Sequence, residues 1–328
     1  MTDYKVTIVI PNYNGKKFLK DCLRSLSKQT MPSKVIVVDN GSDDGALEEI
    51  IDDMKVHPGR YPELEFKKLN DNTGFAHAVN VGISMCDTEF VILLNNDTVA
   101  DENFTERLFK SIEKRKRAFS VSAKMLSMKY PELIDDSGDL YCALGWAFSP
   151  GRDKNRKKYN KVSKITSACA GAAIYRKSIM DEIGGFDDAH FCYLEDVDVG
   201  YRARVYGYSN YFEPSAIVYH AGSGSSGSRY NVFKEELTSA NNLYLIYKNM
   251  PALQIVINSP LIIAGIVVKQ IYFSKKGLGA AYFKGLLSGI KKSADNRDKK
   301  IKYKVGHFKN YLLLEIELII NCFRRLVG

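Results

Sequence analysis

The sequence has no CxxC pair. Its six cysteines, Cys22, Cys86, Cys142, Cys169, Cys192 and Cys322, are scattered along 328 residues. That spacing excludes a cysteine zinc site, and a disulfide scaffold is not expected in a chain this long, so the thiols read as reduced and the compartment as cytoplasmic. A secretory signal is also missing, because the short run flanked by Asp3 and Lys5 is broken at Pro11. No internal repeat of about 20–50 residues is visible, which argues against solenoids and propellers. An uninterrupted apolar span of ~20 residues is lacking too. The nearest approach, Ala252–Phe273, is broken by Gln254, Asn258, Ser259, Pro260 and Lys269. With 45% hydrophobic and 26% charged residues, disordered and collagen-like chains are excluded. The length predicts about two domains, or one large α/β domain with an appendage.

Charge is present but unevenly placed. The formal net charge is +9. Residues 269–328 carry 14 Lys and Arg against 4 Asp and Glu, whereas residues 1–268 carry 33 against 34. A near-neutral body therefore ends in a basic tail. The tail is also apolar, and recognised aromatic readout motifs for nucleic acid are missing, so the expected partner is an anionic membrane surface and not nucleic acid. Ala252–Phe273 and the amphipathic Tyr311–Val327 are expected to lie in a membrane interface. The competing reading is a helical pair packed on the catalytic body or in a homodimer.

Val6–Ile10 is a β-branched run stopped by Pro11-Asn12-Tyr13-Asn14-Gly15. It reads as a buried strand feeding a loop. Lys16–Lys28 has apolar residues at helical spacing, Val35–Val38 is a second strand, and Ala46–Met54 is helical. Glu65–Leu69, Ala76–Met85 and Phe90–Leu94 continue the alternation. Such βαβ units predict a mostly parallel sheet. Ligands in these sheets bind beyond the carboxyl ends of the strands, so the polar clusters Pro11–Gly15, Asp39–Asp44 and Asn95–Thr98 are expected to converge on one crevice. Further on, Phe104–Arg117 reads as a helix and the basic run Arg152–Lys161 as a mobile loop. Cys169–Arg176 ends in a strand, Gly184-Gly185-Phe186 turns the chain, Glu195–Tyr206 is a helix, and Ala216–Tyr219 is a strand ending at His220.

Several residues have the chemistry of a site. Asp97, exposed at a strand end after Asn95 and Asn96, suits a hard divalent cation, although Asn-Asp pairs are also ordinary turn residues. Asp39 ends the second strand, where a carboxylate accepts hydrogen bonds from a nucleobase or ribose, or caps the turn that follows. Glu195 and Asp196 open a helix, where acids also meet the dipole favourably. Glu195-Asp196-Val197-Asp198 is denser in acid than a cap requires, which favours catalysis. His220, followed by Ala221-Gly222-Ser223-Gly224, is a metal ligand, a phosphate donor or a structural histidine.

Taken in order, IVIPNYNG (Ile8–Gly15), VVDNGSDDG (Val37–Gly45), NTGFAHAVNVG (Asn72–Gly82), LLNNDT (Leu93–Thr98), GGFD (Gly184–Asp187), LEDVD (Leu194–Asp198) and Tyr219-His220 resemble the motifs of glycosyltransferase family 2, over roughly residues 5–250. The resemblance is to the bacterial rhamnosyltransferase-like branch that builds cell-surface polysaccharide. It implies the GT-A fold, an α/β architecture with a mostly parallel central sheet, in a catalytic domain spanning 1–250. A basic, amphipathic helical extension that associates with membrane would then occupy 251–328.

The resemblance also implies roles. Asp39, with Asn40 and the loop Pro11, Asn12, Tyr13 and Asn14 beside it, would hold a uridine or thymidine diphosphate sugar. Asn72, Gly74 and Phe75 would line that pocket. Asn95, Asn96 and Asp97 occupy the place of the family's Asp-x-Asp. Asp97 would bind Mg²⁺ or Mn²⁺ with His220, while Asn95 departs from the first acid. Glu195 and Asp196 match the base motif, with Asp196 as the general base of an inverting transfer, kept ionised by Arg202 or Arg204. The expected donor is dTDP-L-rhamnose, with a UDP-sugar as the alternative. The expected acceptor is a glycan or lipid-linked sugar at the inner face of the cell membrane, where the enzyme would sit peripherally. Trp146 and the segment Asp135–Gly145 shape the acceptor site or simply pack. A nucleotidyltransferase of the same fold would need a Gly-rich basic phosphate loop, which Pro11–Gly15 is not. A non-catalytic binding module would not need Asp97, Glu195, Asp196 and His220 together.

Overall fold

The computed structural model describes residues 4–222 and 230–327. In chain order its main elements are β1 (Val6–Asn12), α1 (Leu19–Leu26), β2 (Lys34–Asn40), α2 (Ala46–Val56), β3 (Leu64–Leu69), α3 (Phe75–Ser84), β4 (Phe90–Leu94), β5 (Thr98–Ala100) and α4 (Phe104–Glu113). There follow β6 (Ala118–Ser127), β7 (Ile134–Asp136), β8 (Leu140–Cys142), β9 (Trp146–Phe148), β10 (Ser163–Ile165), β11 (Ala172–Arg176), α5 (Lys177–Ile183), α6 (Glu195–Val205) and β12 (Ser209–His220). The chain closes with α7 (Val232–Asn249), α8 (Ala252–Lys275), α9 (Gly279–Asp295) and α10 (Phe308–Val327).

The main sheet runs β10-β12-β6-β11-β4-β1-β2-β3, with β5 on β12 and β7 on β6. Strands β4, β1, β2 and β3 run parallel to one another. Every residue of β4 is buried, as expected of a parallel strand covered on both faces. Leu19, Cys22, Leu23 and Leu26 turn one face of α1 into one of these covers. Strand β11 is antiparallel to both β4 and β6, while β12 returns parallel to β6. β12 begins earlier than the apolar run Ala216–Tyr219 suggests, because its ladder continues past an irregularity between Glu213 and Ile217. Pairing of β5 with the end of β12 sets Thr98 opposite His220, and this register brings Asp97 to the histidine.

The basic run is pinned, which corrects the expectation of a mobile loop. Lys124 in β6, nearly fully buried, donates to the carbonyls of Arg156 and Lys158 and to Asn160 Oδ1 at 3.0, 3.5 and 2.6 Å. Backbone bonds from Ile134 to Lys154 and from Arg156 to Glu132 lay the run along the segment before and within β7.

The last helices are tied to the body. Arg204 of α6 pairs with Glu317 of α10 at 2.8 Å, and Ala143 N–H donates to the Leu318 carbonyl. Ala252–Phe273 falls within one continuous helix, α8, despite its polar interruptions. Pro260 cannot donate to the carbonyl four residues back; the Ser259 hydroxyl donates to that Val256 carbonyl at 2.8 Å instead. By length and composition α8 could cross a membrane. Its polar Gln254 and Asn258 face inward, both bonded to Glu315 of α10.

Candidate active site

The carboxyl ends of β1, β2 and β4 meet through side chains. Asn12 donates to Asp39 Oδ1 at 2.9 Å, and its own Oδ1 accepts from the Asn96 amide at 2.7 Å. Gly15 is required here, since a Cβ would collide with the Asn12–Asn96 amide pair. The expected convergence of three strand-end clusters is thus a hydrogen-bonded chain running from Asp39 to the residue beside Asp97. Ser42 also donates to Asp39 Oδ1, at 2.6 Å. Asp39 is only 1% exposed, and its Oδ2 has no partner. A buried acceptor left open costs roughly 1–3 kcal/mol, so this oxygen is suited to a donor from outside, such as the imide N–H of a pyrimidine.

Around that carboxylate the other expected pocket residues mostly hold each other. Asn40 accepts from the Thr73 N–H and hydroxyl and donates to Asn72 Oδ1 and the Gly74 carbonyl. Asn72 Oδ1 also takes the Gly74 N–H. Asn14 receives Asp43 N–H and donates its own N–H to Ser42. Gly74 has φ of 87°, and a Cβ there would run into Phe191. These bonds make 72–74 a shaped turn leading into Phe75, the first residue of α3. Tyr13 is exposed and Pro11 half-buried at the mouth. Asn95 is half-buried beside Gly171, to whose carbonyl its N–H donates.

Asp97 and His220 face each other. Asp97 Oδ1 lies 3.2 Å from His220 Nε2, and His220 Nδ1 lies 2.6 Å from Asp135 Oδ2. Burial alone would lower the histidine, but its hydrogen bonds to Asp135 and Asp97 outweigh that and raise it to about 10. Asp135 fixes which imidazole nitrogen points at Asp97, the arrangement that commonly backs a metal-bound histidine. Among the described residues no group of three or more His, Cys, Asp or Glu forms a ready cage. One carboxylate and one imidazole could hold Mg²⁺ or Mn²⁺, which take much of their shell from phosphate oxygens and water, with the ion displacing the proton that His220 otherwise shares with Asp97. Ser223 and Gly224, beyond His220, lie outside the described residues.

Asp196 stands in a second acidic group. Its Oδ1 accepts from Val197 N–H at 2.8 Å and its Oδ2 from Ala170 N–H at 3.3 Å. Burial pushes its carboxyl up to about 6; backbone hydrogen bonds pull the other way and Asp136 adds to the rise. That value is close to what a general base needs near neutral pH. Glu195 goes well above the carboxylate range through burial and the neighbouring Asp196, and its Oε2 is buried with no partner. Asp139 is raised likewise, by burial and then by Asp136 and Asp196. Arg152, from the basic run, donates to the Asp135 carbonyl at 2.9 Å and approaches Asp136 at 3.9 Å. A cleft so rich in acid repels a diphosphate unless cations accompany it, which is a second reason why a divalent ion fits.

Two expectations need correcting. Neither Arg202 nor Arg204 assists Asp196. Arg202 pairs with Asp198 at 2.8 Å and donates to the carbonyls of Ile183, Gly184 and Gly185, while Arg204 reaches Glu317. Nor does Asp198 add to the acidic cleft. It is fully buried and held far below the usual carboxylate range, because Arg202, Lys248 and Asn249 overcome the cost of burial. Asp135, Asp136, Asp139 and Arg152 are not among the expected catalytic and metal residues; the three acids fall in the segment Asp135–Gly145, expected to shape the acceptor site or to pack, and Arg152 opens the basic run. Asn241 of α7 carries no signal in the sequence. Its amide donates to the carbonyls of His190, Cys192 and Tyr193 at 2.8–2.9 Å. It thereby clamps the turn before Asp196, where Phe191, Tyr193 and Leu194 have φ of 61–70°, a strained backbone for bulky residues.

The family model for glycosyl transferase family 2 matches residues 7–184. A curated relative, N-acetylglucosaminyl-diphospho-decaprenol L-rhamnosyltransferase of Mycobacterium tuberculosis, is 26% identical over 255 residues, covering 69% of this chain and 79% of its own. Poly-beta-1,6-N-acetyl-D-glucosamine synthase of Staphylococcus epidermidis is 23% identical over 213 residues, 65% of this chain and 48% of that one. Among solved structures, GalNAc-T7 with UDP, GalNAc and Mn2+ superposes with a TM-score of 0.59 at 16% identity, covering 75% of this chain and 48% of that one. The mannosyltransferase PcManGT of Pyrobaculum calidifontis, in complex with GDP-Man and Mn2+, gives 0.54 at 14% identity, covering 89% and 88%. These likenesses establish the GT-A fold.

Proposed function

We propose, for a chain that belongs to glycosyl transferase family 2 and is a glycosyltransferase, that it transfers L-rhamnose from dTDP-L-rhamnose with inversion. The acceptor in this reading is a lipid-linked sugar or growing glycan of bacterial cell-surface polysaccharide, met at the inner face of the cytoplasmic membrane. The observation that carries it is that the open Asp39 oxygen and the Asp97–His220 pair lie at strand ends, while Asp196, at the start of α6, accepts from Ala170, the neighbour of the Gly171 whose carbonyl takes the Asn95 N–H. Rhamnose and the lipid-linked acceptor are drawn from the mycobacterial relative. Thymine and uracil offer the same imide N–H to Asp39, so a UDP-sugar donor is the second reading.

Asp39 and the Pro11–Asn14 loop receive the base, and the 72–75 turn lines the sugar side. Asp97 and His220 hold Mg²⁺ or Mn²⁺. When bound, that ion neutralises charge on the departing diphosphate. Asp196 takes the proton from an acceptor hydroxyl as its oxygen bonds to C1 and the C1–phosphate bond breaks on the opposite face. Asn241 and the strained turn keep Asp196 aimed, and residues 251–328 form the membrane-side extension of a catalytic domain ending near 250.

Two substitutions test the binding half. Asp39→Asn puts an amide where the base needs an acceptor. It is expected to weaken dTDP and UDP binding by about ten- to a hundredfold by calorimetry; unchanged affinity removes Asp39 from the site. Asp135→Asn leaves Asp97 and His220 in place but loosens the imidazole. Mn²⁺ affinity in the presence of dTDP is expected to fall about 10–100-fold, read from the spin-resonance signal of free Mn²⁺. Unaltered affinity would make Asp135 merely structural.

A further inference from the structure

Helix α8 turns much of its apolar surface outward. It buries Gln254, 6% exposed, Asn258, 1% exposed, Ile262, Gly265 and Phe273, while Val256 and Ile263 are 67% and 60% exposed. Its outward stripe continues through Ile257, Leu261, Val267 and Val268. Helix α10 buries Tyr311, Leu314, Leu318 and Asn321 against the body and still exposes Leu312, Ile316, Ile319 and Phe323. A helix in water places its polar face outward. An exposed apolar surface of this extent marks a contact with something else.

We infer that the outward faces of α8 and α10 seat on an anionic lipid bilayer, with α8 lying in the interfacial plane and not crossing it. Charge selects the occupant. The basic excess of the whole sequence is confined to residues 269–328, and Lys275 of α8 and Lys309 and Arg324 of α10 are exposed, where lipid head groups would meet them. The inner face excludes crossing. Gln254 and Asn258 donate to Glu315 at 2.8 and 2.9 Å, Tyr201 donates to Gln254, and Trp146 Nε1 donates to the Gly265 carbonyl at 3.2 Å. Drawing α8 through hydrocarbon would tear these bonds or carry the Glu315 carboxylate into the membrane. The same inner face rests on the segment after Asp139. Trp146 lies in β9, and β8, which begins at Leu140, contributes the Tyr141 carbonyl that accepts from Asn321. The bilayer therefore abuts the side of the cleft where Asp139 stands beside Asp196, the side from which a lipid-linked acceptor arrives.

This deepens the membrane-side reading above and rests on it only for the acceptor. The test is flotation of the full chain with vesicles of phosphatidylcholine, alone or mixed with phosphatidylglycerol, and needs neither donor nor acceptor. Its failure is therefore separable from failure of the transfer reading. The protein is expected to float with anionic vesicles, to float less with neutral ones and in high salt, and to be released by alkaline carbonate. The triple variant Val256→Glu, Ile263→Glu, Val267→Glu, altered only at exposed positions, is expected to lose at least about tenfold of its vesicle partitioning with its melting temperature and dTDP affinity unchanged. Wild-type protein that ignores anionic vesicles, or a stable dimer that the triple variant splits, would assign the face to a second copy and overturn the inference. Resistance to carbonate would overturn the in-plane placement.

Discussion

Asp196→Asn is expected to reduce transfer by about 10²–10⁴-fold, the range that a positioned general base supplies, while dTDP binding and the melting temperature stay as they are. The fold has little to lose at this position. The Asp196 carboxylate is held by backbone N–H groups, those of Val197 and Ala170 among them, and an asparagine oxygen can keep one. The pH profile carries the same signature. Burial raises the Asp196 carboxyl to about 6, and only the ionised form takes a proton. The rate at saturating donor should therefore fall as pH drops through about 6, and the variant's residual rate should lose that limb. Retained turnover, or nucleotide binding lost together with activity, would remove Asp196 from the role of base.

Two residues on, the opposite outcome is expected. Asp198→Asn leaves Arg202 and Lys248 buried with one carboxylate fewer between them. Breaking a buried ion pair on one side costs about 3–5 kcal/mol, which for a chain of this size corresponds to a fall of about 4–7 °C in melting temperature. The partners are spread widely: Lys248 also bonds Asp187 at 2.7 Å, and Lys299 reaches Asp187 from beyond α9. Asp198 thus fastens α6 and α7 together, and through Asp187 the tail as well. Its carboxyl is held far below the ordinary range, so its stabilisation is complete at neutral pH. That stabilisation is lost only as pH falls below ~4 toward the depressed folded value. An Asp198→Asn protein that melts normally but cannot transfer would move this residue back into the catalytic cleft.

These neighbours show what was legible in the sequence and what was not. The strands Glu65–Leu69 and Phe90–Leu94 and the helix at Glu195 lie within about a residue of the expected spans, and for Phe90–Leu94 the reason is an apolar run that the sheet buries throughout. The convergence of Asn12, Asp39 and Asn96 followed from parallel topology alone, since strand ends in such sheets share a rim. What stayed hidden depended on register and distance. Asp135 reaches His220 across 85 positions and Asn241 clamps a turn about 50 residues earlier, and neither pairing leaves a local pattern. Charge spacing misled for Arg202: one helical turn after Asp198 it serves that carboxylate, while Asp196 projects elsewhere. The polar breaks in Ala252–Phe273 argue against a clean apolar span, yet two of them, Gln254 and Asn258, belong to the inward face of one continuous helix.

Donor turnover is the most direct test of the site. The full-length protein would be offered dTDP-L-rhamnose and a panel of UDP-sugars, with a polyprenyl-diphosphate-linked acceptor, in Mn²⁺ or Mg²⁺ and again with chelator. The predicted result is transfer from dTDP-L-rhamnose that ceases on chelation, with an inverted anomeric product. Transfer from a UDP-sugar alone would replace the donor. A product of retained configuration, or no turnover together with no nucleotide binding, would contradict the site built from Asp39, Asp97, His220 and Asp196.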